Sequence, residues 1–145
     1  EQVFCAAVHQ SLAGVTLEDT VHVAARNGGA LVSYSLNQFQ APNETTVQIH
    51  CKSGSIKIEM HEQRWAVLPH GAASWDHRPA PVAHRDDLFV TQAEAFLDGI
   101  DGKPTPLCTL DEAIQTLAFN IAALESARTG KMVKVNRPRV ESEPN

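Results

Sequence analysis

Seven histidines, three cysteines and two tryptophans are the side chains of this 145-residue chain with the most chemistry to offer. His22, His50 and His61 sit on the polar parity of three strand-like runs, where three imidazoles could meet across a sheet and hold zinc or nickel. No paired carboxylate accompanies them, and neither an HxH nor an HExxH spacing occurs. They are expected as solvated or interface-facing histidines, and no metal ligand is assigned. The stretch PHGAASWDHRPAPVAHRDD, residues 69–87, is too polar and proline-rich for regular structure and reads as a long loop. Asp76 beside His77 would suggest acid–base work, but adjacent residues rarely face each other and no serine or cysteine nucleophile stands by. A structural loop is the plainer reading. For contact with a small-molecule substrate, the side chains of choice are Trp75, His77 and His84. No catalytic residue is assigned. Cys5, Cys51 and Cys108 are widely spaced with no C-x-x-C pair, and read as buried free thiols of a reducing compartment.

The elements that must position these residues follow from periodicity. Between Val3 and Pro69 the apolar residues mostly recur at every second position, the period of strands with one buried face. Val21, Val23 and Ala25 alternate with His22, Ala24 and Arg26, and Asn27-Gly28-Gly29 then supplies a hairpin turn. On the returning strand Val32, Tyr34 and Leu36 face one way, with Ser33 and Ser35 facing the other. A third run sets Val47, Ile49 and Cys51 against Thr46, Gln48 and His50. A fourth sets Ile56, Ile58 and Met60 against Lys57, Glu59 and His61, and RWAVLP makes a fifth.

Helices come later. Phe89, Ala93, Phe96, Leu97 and Ile100 have helical spacing, ended by Gly99 and Gly102. Thr109 and Glu112 have the spacing of a capping box, and Leu110, Ile114, Leu117, Ile121 and Leu124 form the expected buried stripe of a second helix that stops at Gly130. MVKV adds a closing edge strand. The expectation is a two-layer α+β fold, with a mostly antiparallel, open-faced sheet of five or six strands and two helices on one face. One domain is expected over 1–135, followed by a loose tail over 136–145. A hydrophobic content of 43% with 20% charge is that of an ordinary globular chain. A net charge of -5 leaves no basic footprint for nucleic acid. No apolar run approaches the ~20 residues of a membrane span.

The order of parts resembles the C-terminal domain of the glucose-fructose oxidoreductase, inositol dehydrogenase and rhizopine-catabolism (Gfo/Idh/MocA) family. The carriers are the hairpin DTVHVAARNGGALVSYSL, the pair TTVQIHCKSGSIKIEM, and a close of the form F-x-x-x-I-x-G-x-P followed by S-A-x-x-G-x-x-V-x-V. Phe96, Ile100, Gly102, Pro104, Ser126, Ala127, Gly130, Val133 and Val135 occupy those places.

The resemblance implies an NAD(P)-dependent oxidoreductase acting on a sugar, cyclitol or related polyol, in the cytoplasm. It also implies that the glycine-rich dinucleotide-binding unit, the Glu-Lys-Pro segment and the helix with the acid–base histidine lie upstream of Glu1. This chain is therefore expected to bind no cofactor, NAD or NADP belonging to the full-length parent, and to be inactive alone. It would supply a wall of the substrate pocket, which borders the 69–87 stretch, and an oligomer interface. In the family the open sheet face packs against a second subunit, which points to Ser33, Ser35, Thr46, Gln48 and His50 as homo-oligomer contacts; from the residues alone, plain solvation serves as well. Other classes are an autonomous, non-catalytic binding or assembly module using the free sheet face, and a small metal-dependent hydrolase. A chain without an initial methionine fits a fragment.

Overall fold

The computed structural model describes residues 1–80, 85–104 and 107–136. In chain order the elements are β1 (Gln2–Val8), β2 (Thr20–Asn27), β3 (Ala30–Asn37), β4 (Thr46–Cys51), β5 (Gly54–Glu59), β6 (Arg64–Pro69), β7 (Asp76–Pro79), α1 (Arg85–Ile100), α2 (Leu110–Thr129) and β8 (Val133–Lys134). The fold is α+β with open antiparallel sheets, as the periodicity predicts. The strands divide, however, into two four-stranded sheets, ordered β3-β2-β1-β8 and β4-β5-β6-β7, rather than one of five or six. Alternation tells which side of a strand is apolar and is silent on its neighbour. The chain correspondingly forms two compact units, Glu1–Phe39 with the described residues from Cys108 onward, and Gln40–Leu107. Apart from Asn136, the tail expected over 136–145 lies outside the described residues.

In the first unit the Asn27-Gly28-Gly29 turn is a hairpin turn: Asn27 pairs with Ala30 and Gly28 takes φ +58°. Val3, Ala25 and Val32 stand in one row and Cys5, Val23 and Tyr34 in the next. Val3, Ala25 and Val135 are buried against Ala118 and Ala122 of α2, with Val23, Phe119, Ala123 and Val133 at the margin. Tyr34 meets Phe119 edge-on at 5.8 Å. The capping box is present, Thr109 N–H donating to Glu112 Oε2 at 2.8 Å and Glu112 N–H to Thr109 Oγ1 at 3.3 Å, and Gly130 ends α2 at φ +66°.

The buried face of α2 is not the expected leucine stripe. Ala118, Ala122 and Ser126 face inward, while Leu110, Leu117, Ile121 and Leu124 are 57–73% exposed. Small side chains at i, i+4 and i+8 let the helix lie close on the sheet, and a helix apolar on several sides gives no period from which to choose among them. The stripe of α1, Phe89, Phe96, Leu97 and Ile100, is likewise exposed. Cys5 is buried, and burial with the nearby Glu18 charge raises its thiol pKa; Cys51 and Cys108 are exposed, contrary to expectation. No helix among the described residues is long and apolar enough to cross a membrane.

Ser126 explains where β8 stops. Val3 pairs with Val133, so two residues further in, Cys5 and Lys131 would form the next hydrogen-bonding pair. Instead the fully buried Ser126 hydroxyl lies between them, accepting from Cys5 N–H at 2.9 Å and donating to the Lys131 carbonyl at 2.6 Å. Ser126→Ala leaves both backbone groups unpartnered in a buried site, at about 1–3 kcal/mol for each group that water cannot reach. A urea midpoint lowered accordingly, with an unchanged m-value, is the expected outcome of equilibrium unfolding.

Candidate functional site

Register assembles the site on the second sheet. Gln48, Lys57, Ala66 and His77 form one row across β4–β7; Thr46, Glu59, Arg64 and Pro79 form a second; His50, Ser55 and Leu68 form a third. Because side chains alternate, all three rows share one face. The strand β7 lies inside the stretch read as a loop. An edge strand needs backbone partners rather than apolar side chains, and β6 supplies them; Pro79 is tolerated there because the outer side of the edge requires no donor. That pairing brings His77 onto the same face as Thr46, Gln48 and His50.

Glu59 is the electrostatic centre. Its carboxylate accepts from Arg64 Nε at 2.8 Å, with Lys57 Nζ at 3.4 Å and His77 Nδ1 at 4.0 Å. The Arg64 hydrogen bond, together with that of Lys57 and the charge of both, outweighs desolvation and lowers Glu59 from the ordinary 4.5 to about 2, and the same pair raises Arg64. Lys57 Nζ also stands 5.2 Å from the centroid of Trp75, a cation–π contact. A carboxylate so held stays ionised at neutral pH and donates no proton. The cluster offers recognition by an aromatic ring, cations and an imidazole.

The other predicted residues fall apart into separate settings. Ser33 shares a row with Ala24 and Phe4, and Ser35 with His22 and Ala6, on the open face of the first sheet. His50 Nδ1 bonds Ser55 Oγ across the strand pair at 2.8 Å. His61 is not on a strand: it belongs to a single 3-10 turn, Met60–Glu62, and its Nδ1 meets the backbone of Thr45 at 3.2 Å. His22, on β2, belongs to the other unit, and among the described residues no three His, Cys, Asp or Glu side chains gather as a metal site. On the opposite face of the second sheet Arg78 pairs with Asp76 at 2.7 Å and lies over Trp65 at 5.0 Å. His84 lies outside the described residues.

Sequence reasoning missed Lys57, Glu59 and Arg64 as a unit, although the polar parity of the first two was visible; what joins Arg64 to them is the reversal at 60–63, where Gln63 takes φ +48°. A dinucleotide needs a glycine-rich turn that leads from a strand into a helix. The one turn with paired glycines, Gly28-Gly29, joins two antiparallel strands rather than leading into a helix.

Residues 3–135 match the domain described as "Oxidoreductase family, C-terminal alpha/beta domain", and the chain belongs to that family, Gfo/Idh/MocA. No curated protein matches the chain. Among solved structures, levoglucosan dehydrogenase in complex with NADH and levoglucosan is 19% identical with a TM-score of 0.79, over 94% of this chain and 45% of that one. The WlbA dehydrogenase from Bordetella pertussis, in complex with NADH and UDP-GlcNAcA, is 23% identical with a TM-score of 0.63, over 92% and 39%. An oxidoreductase domain protein from Kribbella flavida is 14% identical with a TM-score of 0.75, over 93% and 46%. The chain thus spans less than half the length of these solved relatives.

Because Glu59 is ionised more readily in the folded chain than in the unfolded one, its pairing stabilises fully above the ordinary carboxyl value near 4.5 and is lost as pH falls through about 2. Stability measured by denaturant midpoint is expected to decline over that window, and Glu59→Gln is expected to flatten the decline while lowering stability at neutral pH.

Proposed function

We propose that the chain is the C-terminal part of an NAD(P)-dependent oxidoreductase that acts on a sugar, cyclitol or related polyol, supplying a wall of the substrate pocket and a surface for self-association without catalysing hydride transfer by itself. The observation that carries this reading is the family match over residues 3–135 in a chain whose likeness covers 45% of levoglucosan dehydrogenase, a structure holding NADH and levoglucosan. The dinucleotide site and the proton-transfer groups then belong to polypeptide joined to this domain. The exposed apolar side chains of α1 and of the outer side of α2 fit such an attachment. Its free cysteines suit a cytoplasmic protein.

Within that reading Trp75, His77 and His84 contact substrate, and Ser33, Ser35, Thr46, Gln48 and His50 contact a second copy. Trp75 stands over Lys57, in the row of Gln48 and His77, so the two roles are adjacent on the second sheet. Light scattering and kinetics separate them. Trp75→Ala in the full-length enzyme is expected to raise KM for a polyol by roughly tenfold, the loss of one stacked ring, with the mass unchanged. Ser35→Arg in the full-length enzyme is expected to shift the homo-oligomer toward the monomer, read as a fall in mass. The deciding experiment expresses this domain with and without its own upstream coding sequence: the longer protein should reduce NAD or NADP with a polyol, and the domain alone should not. Turnover by the domain alone would overturn the proposal.

A further inference from the structure

β1 ends at Val8 and β2 begins at Thr20, and the connection between these hairpin partners uses residues 9–19 where two would suffice. None of residues 9–18 is buried; Leu12 and Val15 are half-buried and Leu17 lies open. Apolar packing therefore does not account for its ordered path.

A single carboxylate does. Asp19, fully buried at the foot of the segment, accepts at Oδ1 from the Gln10 N–H at 2.8 Å and the Thr20 hydroxyl at 3.0 Å, and at Oδ2 from the Leu12 N–H at 3.1 Å. His9 Nδ1 also lies 3.1 Å from Oδ2. A carboxylate only accepts, so Nδ1 carries the proton. Ser11, between the two donating amides, takes φ +66°, a left-handed conformation uncommon outside glycine that aims its neighbours' N–H groups into one anion-holding concavity. The foot itself is tied to the sheet independently, Asp19 N–H donating to the Val8 carbonyl at 3.1 Å and Gln38 N–H to the Asp19 carbonyl at 2.9 Å.

We propose that residues 9–18 form a strap that opens and closes as a unit separate from the sheet, with the Asp19 carboxylate on the Gln10 and Leu12 amides as its latch. The sheet keeps its own ladder and the Asp19 backbone bonds when the strap opens, whereas the strap, without the carboxylate, keeps only the partial burial of Leu12 and Val15 to hold it. His9 is the titratable group that faces Asp19 from the strap; β2 presents the Thr20 hydroxyl and the chain beyond β3 the Gln38 amide. Burial disfavours the Asp19 anion, but the bonds from Gln10, Leu12 and Thr20 and the proximity of His9 outweigh it and lower its pKa below the ordinary 3.8. The latch therefore holds above that value and is released as pH falls through the lowered one.

Amide hydrogen exchange followed by NMR tests this in the whole chain. In the wild type, Gln10 and Leu12 should exchange faster than the β1–β2 ladder amides, and Asp19→Asn should speed them by on the order of 100-fold while the ladder changes little. Ser11→Gly keeps the latch and relieves the left-handed backbone, so it should slow the same two amides several-fold. Strap amides that exchange in step with the ladder, or that keep their protection in Asp19→Asn, would overturn the proposal. Where Asp19→Asn does not fold, the wild type and Ser11→Gly decide by the same comparison.

Discussion

A sheet needs every backbone donor on its inner strands answered, and on β1 one of them is answered by a side chain. The Ser126 hydroxyl stands between Cys5 N–H and the Lys131 carbonyl, where a ladder bond would otherwise run. One oxygen can do this because a hydroxyl both accepts and donates. Its placement fixes how α2 lies on the sheet, since the helix must come close enough for a two-atom side chain to reach the strand. It also fixes where the chain turns after Gly130, whose N–H in turn donates to the Ser126 carbonyl at 2.8 Å. Helix, turn and closing strand are thus set by a single buried polar group.

The second sheet is organised differently. Its charged face is not a passive surface, for Ala66 at the centre is fully buried and Lys57 and Glu59 are largely covered. Cations, carboxylate and indole hold one another in position, so this part of the face is preformed. A preformed polar surface loses less conformational freedom on binding than one whose long side chains must first be ordered.

Local chemistry was legible in the sequence and spatial neighbours were not. The Asn27-Gly28-Gly29 hairpin, the Thr109–Glu112 box and the Gly130 stop each depend on residues a few positions apart, and each stands where the sequence placed it. The family resemblance rested on the same local features in order, and the match over residues 3–135 bears it out. Which strands pair, and hence the two sheets, depends on contacts between distant segments. β7 escaped notice because Asp76, His77, Arg78 and Pro79 have no strand composition, and only the ladder to β6 makes them one. Nothing in the sequence marks Asp19 as buried; its partners are backbone amides, which no residue type announces. Trp75 and His77 were singled out from the composition of their stretch and from the family resemblance, and their proximity to Lys57 and Glu59 follows from β7.

The two sides of α2 answer to different masters. Ala118, Ala122 and Ser126 are constrained by the separation of helix and strand, a distance internal to this domain, and even one added methyl there pushes the layers apart. Leu117, Ile121 and Leu124 lie mostly exposed, outside the seam between helix and sheet. A lineage that exchanged one neighbouring protein segment for another would be free to rewrite the outer row while the inner one stayed as it is, so divergence along this single helix should alternate with the turn of its own backbone.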